Sequence, residues 1–414
     1  LSAGRRLRIT RLQLALAVVL ASVAGGAVAI GVGKAAGWLD GGETVVLRAA
    51  ALPAPPDPAL EAAVRPLDGE RFDPVLIYRQ RSPGAVTIYT LFPGHAEGAP
   101  NAQAQGSGFV VSPEGYILTN SHVITTSGEA IPPEAIEAAT DVFVEFSDGA
   151  RVSAEIVGWD LFDDVGLLKV DPSAHPLSPV PLGDSSRVVV GEPVAAIGSP
   201  FGQVGSLAVG VVSATERAVD SLTSDYSVVD AIQTDAPINR GNSGGPLFNA
   251  RGEVIGINAQ IRTESGNAEG VGFAIPINSA KRSMEQLIES GQVRYAWVGI
   301  STQTVTASLA RELGLESAGG AAIQTVVPGS PAAEAGLRAG TEAVLVEGVD
   351  FLDGGDVVVA IDGEEVRSTE DLIRIVTGRL FPGVKAEFTV LRDGERIRIG
   401  LVLADRPLNP DVGP

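Results

Sequence analysis

The sequence predicts a mostly β protein with two folded domains behind one N-terminal apolar helix. Three observations carry that reading. From about residue 73 onward, short apolar runs punctuated by Gly, Asp and Pro recur, which is the pattern of short strands joined by tight turns. Glycine (50 residues) and proline (27) are abundant while aromatics make up 5%, a mix that suits turns better than long helices. At 414 residues the chain is too long for one typical core, so more than one domain is expected.

At the N-terminus, Arg5, Arg6, Arg8 and Arg11 precede an uncharged run from Leu12 to Gly33. At about 1.5 Å per residue that run spans about 33 Å as a helix, enough for a bilayer core. The basic flank keeps residues 1–11 cytoplasmic and sends the rest outside, with residues 12–33 as a membrane anchor. The competing reading is a signal peptide cleaved after Ala27-Val28-Ala29, which would release a secreted form without residues 1–29. Residues 34–72, which include the Pro-rich stretch Ala49 to Pro58, read as a semi-extended tether.

Residues 73–290 form the first domain. Its strands are read at Gly108–Val111, Tyr116–Leu118, Val142–Phe146, Val165–Val170, Val188–Ile197, Leu207–Val212 and Val254–Ile257. Ser279–Ser290, with Met284, Leu287 and Ile288 on one face, is the first convincing soluble helix. Residues 291–405 form a second, α+β unit with strands at Val298–Ile300, Ala322–Val327 and Asp356–Ile361. Ser330 to Leu337 is a short helix with Pro at its start and Gly at its end. Ser368 caps a helix to Val376, and a hairpin turns at Asp393-Gly394. Residues 341–354 read as an inserted extra hairpin, and 406–414 as a tail.

A formal charge of −20 argues against nucleic acid, because phosphate binding needs a basic face. With no cysteine, a thiol nucleophile and Cys-ligated zinc are excluded. The sequence calls for neither cofactor nor metal: Phe201-Gly202 and Gly205 are followed by no G-K-[ST] and read as a strand turn.

Gly241-Asn242-Ser243-Gly244-Gly245-Pro246-Leu247 is the sharpest segment. A serine among glycines has an accessible hydroxyl, and the backbone N–H groups around it can converge on an oxyanion. As a G-x-S-x-G elbow it would need its histidine downstream, yet His95, His122 and His175 all precede it. The order His, Asp, Ser on an all-β background is the chymotrypsin arrangement, which makes the first domain a trypsin-like double β-barrel. His122 is the best-placed base, since it directly follows an apolar strand; His95 and His175 look like solvated loop residues. Asp164 opens the strand Val165–Val170, where a carboxylate can face inward, and the adjacent Asp163 is the alternative.

Gly106-Ser107-Gly108-Phe109-Val110, Thr119-Asn120-Ser121-His122-Val123, Asp164 to Lys169, Gln233-Thr234-Asp235 and Gly241 to Leu247 together resemble the HtrA/Deg serine proteases. The resemblance covers about residues 73 to 405 and selects Asp164 over Asp163. Two departures are visible: Gly166 stands where Ala is usual, and Pro237 where Ala or Ser is usual. The resemblance implies a serine endopeptidase acting on misfolded or regulatory proteins outside the cytoplasmic membrane. Its catalytic residues would be His122, Asp164 and Ser243, with an oxyanion hole at Gly241, Asn242 and Ser243. Ile238 with Gly256, Ile257 and Asn258 would line an apolar pocket, which favours small aliphatic side chains and leaves Lys or Arg unpaired.

By the same resemblance the second unit is a PDZ domain that binds C-terminal peptides. Trp297, Val298, Gly299 and Ile300 would form its carboxylate loop, and the helix bearing Leu372 and Val376 would flank the peptide. A homotrimer is implied, assembled near Phe72 and Tyr78, and Arg217 in the segment 213–235 matches a loop arginine that relays PDZ occupancy. Arg217 as an ordinary surface arginine is the plainer reading. A proteolytically silent PDZ adaptor or holdase is the alternative function.

Overall fold

The computed structural model describes residues 71–93, 102–128, 135–199, 205–221, 223–224, 226–239, 241–259, 271–312, 318–346 and 348–408. The expected anchor at 12–33, nearly all of the tether, His95 and Phe201-Gly202 lie outside them. Among the described residues, no helix is long and apolar enough to cross a membrane.

The first twelve strands are β1 (Ala85–Phe92), β2 (Ala102–Val110), β3 (Tyr116–Thr119), β4 (Asp141–Glu145), β5 (Arg151–Asp160), β6 (Val165–Val170), β7 (Pro193–Gly198), β8 (Ser206–Asp220), β9 (Ser227–Thr234), β10 (Pro246–Phe248), β11 (Val254–Ala259) and β12 (Gly272–Pro276). They close into two antiparallel barrels, in the orders β1-β2-β3-β6-β5-β4 and β10-β11-β12-β9-β8-β7. Closure pairs every strand on both sides and removes exposed sheet edges. Alternation then sends one face of each strand inward. Ile88, Val144 and Leu168 fill the first barrel, and Val194, Ile232 and Ile255 fill the second. A third core lies between the barrels, where Phe109, Leu167, Ile197, Phe248 and Ile257 pack together.

Three local features differ from the sequence reading. A helix, α1 (Pro74–Arg81), precedes β1; Asp73 Oδ1 accepts from Leu76 N at 3.0 Å and Pro74 opens its first turn. It buries Ile77 and Arg81 without an apolar stripe, so periodicity missed it. A single helical turn, α2 (Ser121–Ile124), follows β3 directly. Val189 and Val190 belong to no strand and are 62% exposed, since β7 begins only at Pro193.

Helix α3 (Ile277–Ser290) ends on Gly291 in the left-handed conformation and lays Ile277, Ala280 and Leu287 into the inter-barrel core. The second unit follows. Its sheet runs β14 (Ile300–Thr304), β15 (Ala321–Val326), β18 (Val357–Ile361), β20 (Lys385–Arg392), β21 (Glu395–Val402), with β14 at an edge and β19 (Glu364–Glu365) pairing with β18. β13 (Ala296–Trp297) pairs with β22 (Ala404–Asp405), and β16 (Glu342–Val346) with β17 (Val349–Asp353) in the inserted hairpin. Helices α4 (Ala307–Glu312), α5 (Pro331–Ala335) and α6 (Thr369–Arg379) complete it. Ser368 caps α6 by accepting from Asp371 N, and both turn residues Asp393 and Gly394 have positive φ, as a two-residue hairpin turn requires. The expected strand Val298–Ile300 is interrupted, because Gly299 takes φ +82° between β13 and β14.

Gly158 of β5 is the seat of α3: a Cβ there would lie 2.8 Å from Leu287 Cδ2 and 2.9 Å from Gly291 O. Gly158→Ala should therefore destabilise the barrel–helix contact by about 1–3 kcal/mol, read as a lower urea midpoint of the first unfolding transition.

Candidate active site

One carboxylate organises the first half of the site. α2 begins at Asn120, whose side chain gives no capping bond. The N–H groups of Ser121 and His122, which have no partner within the helix, are satisfied by Asp164, just before β6. Asp164 O accepts from Ser121 N at 3.3 Å and from Asn120 Nδ2 at 2.9 Å. Asp164 Oδ1 accepts from His122 N at 3.0 Å and from Ser121 Oγ at 2.8 Å, and Oδ2 lies 2.7 Å from His122 Nδ1. A carboxylate only accepts, so Nδ1 carries the ring proton and Nε2 presents a lone pair. Asp164 is 4% exposed and sits at φ +50°, an unusual backbone state that Asp tolerates better than most residues.

Burial disfavours the charged imidazolium of His122, but the Asp164 charge and hydrogen bond outweigh it, so the ring pKa is raised above its ordinary 6.5. Asp163 points elsewhere, toward Tyr295 and Arg282. His175 stacks on Phe146 at 4.0 Å and pairs with Asp148 at 3.0 Å, so it is a packed residue rather than a solvated loop residue.

The second half comes from the turn between β9 and β10. Gly244 must be glycine: its φ is +85°, and a Cβ would lie 2.1 Å from Ser107 O and 2.3 Å from Thr119 Oγ1. That approach sets the turn against the end of β3, just before His122. Ser107 fastens it, donating N–H to Ser243 O at 2.8 Å and Oγ to Gly241 O at 2.6 Å. Ser243 is 5% exposed and its Oγ, among the described residues, makes no hydrogen bond. The hydroxyl thus lies beside the histidine segment with its hydrogen-bonding capacity unspent.

The expected oxyanion donors separate. Asn242 N–H is spent on Asn239 O at 2.9 Å, so it has no hydrogen to offer an oxyanion; this corrects the expectation for Asn242. Ser243 N–H and Gly241 N–H donate to no described residue. The pocket residues also separate, because a strand alternates its faces. Gly256 faces Ile232 and Ala274 inside the second barrel, where Ile238 lies, and Gly272 abuts Ile238. Ile257 points the opposite way, into the inter-barrel core, so its side chain does not line that pocket. Asn258 donates Nδ2 to Pro246 O at 3.1 Å.

In the second unit, Val298 O and Gly299 O accept from Ala332 N and Val327 N, and a Cβ on Gly299 would collide with Ser330 Cβ at 2.1 Å. The loop Trp297 to Ile300 is thereby clamped on α5. Leu372 and Val376 of α6 are buried in this unit's core. Arg217 donates to Gln233 Oε1 at 3.1 Å within the barrel sheet. A contact that crosses between units lies next to it and went unseen in the sequence. Arg374 of α6 grips Asp230 of β9 with bonds of 2.8–3.0 Å and approaches Glu216 at 3.6 Å. The Asp230 hydrogen bond raises the Arg374 pKa further. Both partners have positive φ and 144 residues separate Arg374 from Asp230, so no local signal marks them.

Two closed barrels carrying a histidine, an aspartate and a serine in this order, followed by a peptide-binding type of α+β unit, define a trypsin-like peptidase architecture with one PDZ domain. A trypsin-like peptidase domain matches residues 106–257, and a PDZ domain matches residues 297–403. The "Probable periplasmic serine endoprotease DegP-like" of Halomonas elongata is 42% identical over 314 residues, 76% of this chain and 58% of that protein. Its namesake in Pseudomonas fulva is 41% identical over 315 residues, 76% of this chain and 59% of that protein. The chain therefore spans less than two thirds of the length of these curated relatives. The solved structure "HtrA-type protease AlgW with tripeptide" is 33% identical at a TM-score of 0.66, covering 81% of this chain and 98% of that one. The chain belongs to the HtrA-type protease family.

NMR titration of the His122 ring should give a midpoint above 6.5. In Asp164→Asn the burial remains while the charge is gone, so the midpoint should fall below the ordinary value.

Proposed function

We propose that the chain is a serine endopeptidase that cleaves misfolded or regulatory proteins outside the cytoplasmic membrane through an acyl-enzyme. The observation that carries this reading is the Asp164–His122 pair, set beside the turn that holds an unspent Ser243 hydroxyl. His122 takes the Ser243 proton as Oγ attacks the scissile carbonyl, then returns it to the leaving amine. Asp164 holds the ring and stabilises its charged form. Gly241 N–H and Ser243 N–H receive the oxyanion; losing one such donor costs about 10²–10³ in kcat in other serine proteases. Water then hydrolyses the ester. Ile238, Gly256 and Gly272 leave an apolar pocket without an acid, which selects small aliphatic side chains such as Val or Ala.

Residues 73–290 act as the protease and 291–405 as the PDZ domain, which takes the apolar C-terminus of a peptide. The peptide adds to β14, whose outer edge is open in the sheet order, with its carboxylate at Trp297 to Ile300 and α6 alongside. Occupancy reaches the protease through Arg374, Asp230 and Glu216, with Arg217 beside them. The chain is a homotrimer. Supporting this is an apolar surface on which Val75 and Leu76 of α1 and Leu207, Val209 and Val211 of β8 are 38–58% exposed, with Gly205 bringing Tyr78 against the β8 end. The anchor at 12–33 tethers it to the membrane, and the periplasmic designation of its relatives supports the outward location.

A fluorophosphonate probe should label Ser243, and Ser243→Ala should abolish casein cleavage with the fold retained; undiminished cleavage would overturn the assignment. A silent adaptor would leave the probe unreacted. Peptides with an apolar C-terminus should raise kcat/KM by roughly 5–150-fold, a coupling of about 1–3 kcal/mol, and Arg374→Ala should change that response with peptide binding intact.

A further inference from the structure

The five residues between α3 and β13 end on Tyr295, which is 2% exposed and belongs to neither half of the site. Its hydroxyl lies 2.6 Å from Asp160 Oδ2 and 2.8 Å from Asp163 Oδ2. Asp160 Oδ2 also accepts from Ser283 Oγ at 2.7 Å, and its Oδ1 accepts from Phe162 N at 2.8 Å and Asp163 N at 3.3 Å. Asp160 therefore folds the turn from β5 to β6, and Tyr295 ties the far side of that turn back onto it. The next residue is Asp164, at φ +50° with its carboxylate on His122.

Every element packed here contributes charge or aromatic surface. Arg282 of α3 donates to Asp163 at 3.2 Å. Arg406, which follows β22, lies 3.8 Å over the Tyr226 ring and 5.1 Å from that of Phe162. Phe162 in turn meets Tyr295 edge to face at 5.2 Å. Burial, and then the charge of Asp163, push Asp160 up to about 6.

We infer that Tyr295 is a positioning residue for the Asp164–His122 pair, acting through Asp160 and Asp163. The inference rests on the proposed reading of the site. Without the bridging hydroxyl, the side chains of Asp160 and Asp163 lose the one donor they share, and only the Asp160 bonds to the turn amides still close the turn. The turn opens, Asp164 leaves its left-handed backbone state, and Oδ2 withdraws from Nδ1.

Tyr295→Phe keeps the ring and its packing and removes only the hydroxyl. It should lower kcat by roughly 10–10²-fold with KM unchanged, the scale of a small misplacement of reacting groups. It should also lower the His122 titration midpoint, which a purely structural tyrosine would leave in place. Adding Asp163→Asn should restore both, because the amide can donate to Asp160 where the hydroxyl did. A folded Tyr295→Phe with the wild-type His122 midpoint would overturn the proposal. So would an unfolded one, since the hydroxyl would then hold the whole barrel rather than the site. Asp164→Asn, run alongside, separates the two ideas. If it moves the midpoint and Tyr295→Phe does not, the positioning role alone fails; if neither moves it, the reading of the site fails and takes the role with it.

Discussion

Everything at the site hangs on the Asp164 carboxylate doing two jobs at once. It orients the His122 ring through Nδ1, and it satisfies the amide of the same residue at the start of α2. A helix of one turn has almost no intrinsic stability, because nucleation is unfavourable and few internal bonds form. α2 exists because the strand opposite supplies its cap. Ring and backbone of His122 are therefore fixed by one anchor, and any motion of that anchor moves both. Gly166 packs directly under the start of α2: a Cβ there would lie 2.9 Å from Asn120 O.

The anchor itself is held from behind by parts of the molecule far away in sequence. Asp160 and Asp163 flank the turn, α3 brings Ser283 and Arg282 to it, and Arg406 arrives from the end of the PDZ unit. Tyr226, from the segment between β8 and β9, joins the same cluster through its ring and donates its hydroxyl to Pro407 O at 2.9 Å. On the other side of the junction, α6 reaches β9 through Arg374. Among the described residues, the protease and PDZ units thus meet both at a polar, partly exposed place and at a buried one beside the turn that carries Asp164.

The sequence was legible where physics is local. Alternating apolar runs between Gly, Asp and Pro marked most strands, Ser368 and Gly336 marked helix ends, and the order of His122, Asp164 and Ser243 separated one barrel fold from other hydrolase folds. It was illegible where contacts are long-range. Adjacent carboxylates such as Asp163 and Asp164 look alike until the left-handed backbone at Asp164 sends them to opposite partners. The same limit hid Arg374, whose partners on the protease side, Asp230 and Glu216, are far away in sequence, while Arg217 drew attention and pairs within its sheet. Ile257 was misread because its strand is buried on both faces, so apolarity could not say which way it points. α1 lacked a stripe for periodicity to find.

The three side chains are divided between two barrels, and translation completes them in order. The first barrel, with His122 and Asp164, is whole once β6 has emerged, while Ser243 and its turn arrive only with the second. Neither barrel alone carries both Ser243 and His122, so a half-folded chain cannot bring the three side chains together. Because the turn is fastened from one barrel to the other through Ser107, chemistry waits on correct docking as well as on synthesis. Completion of the fold, rather than synthesis of either barrel, is thus the event that creates the site.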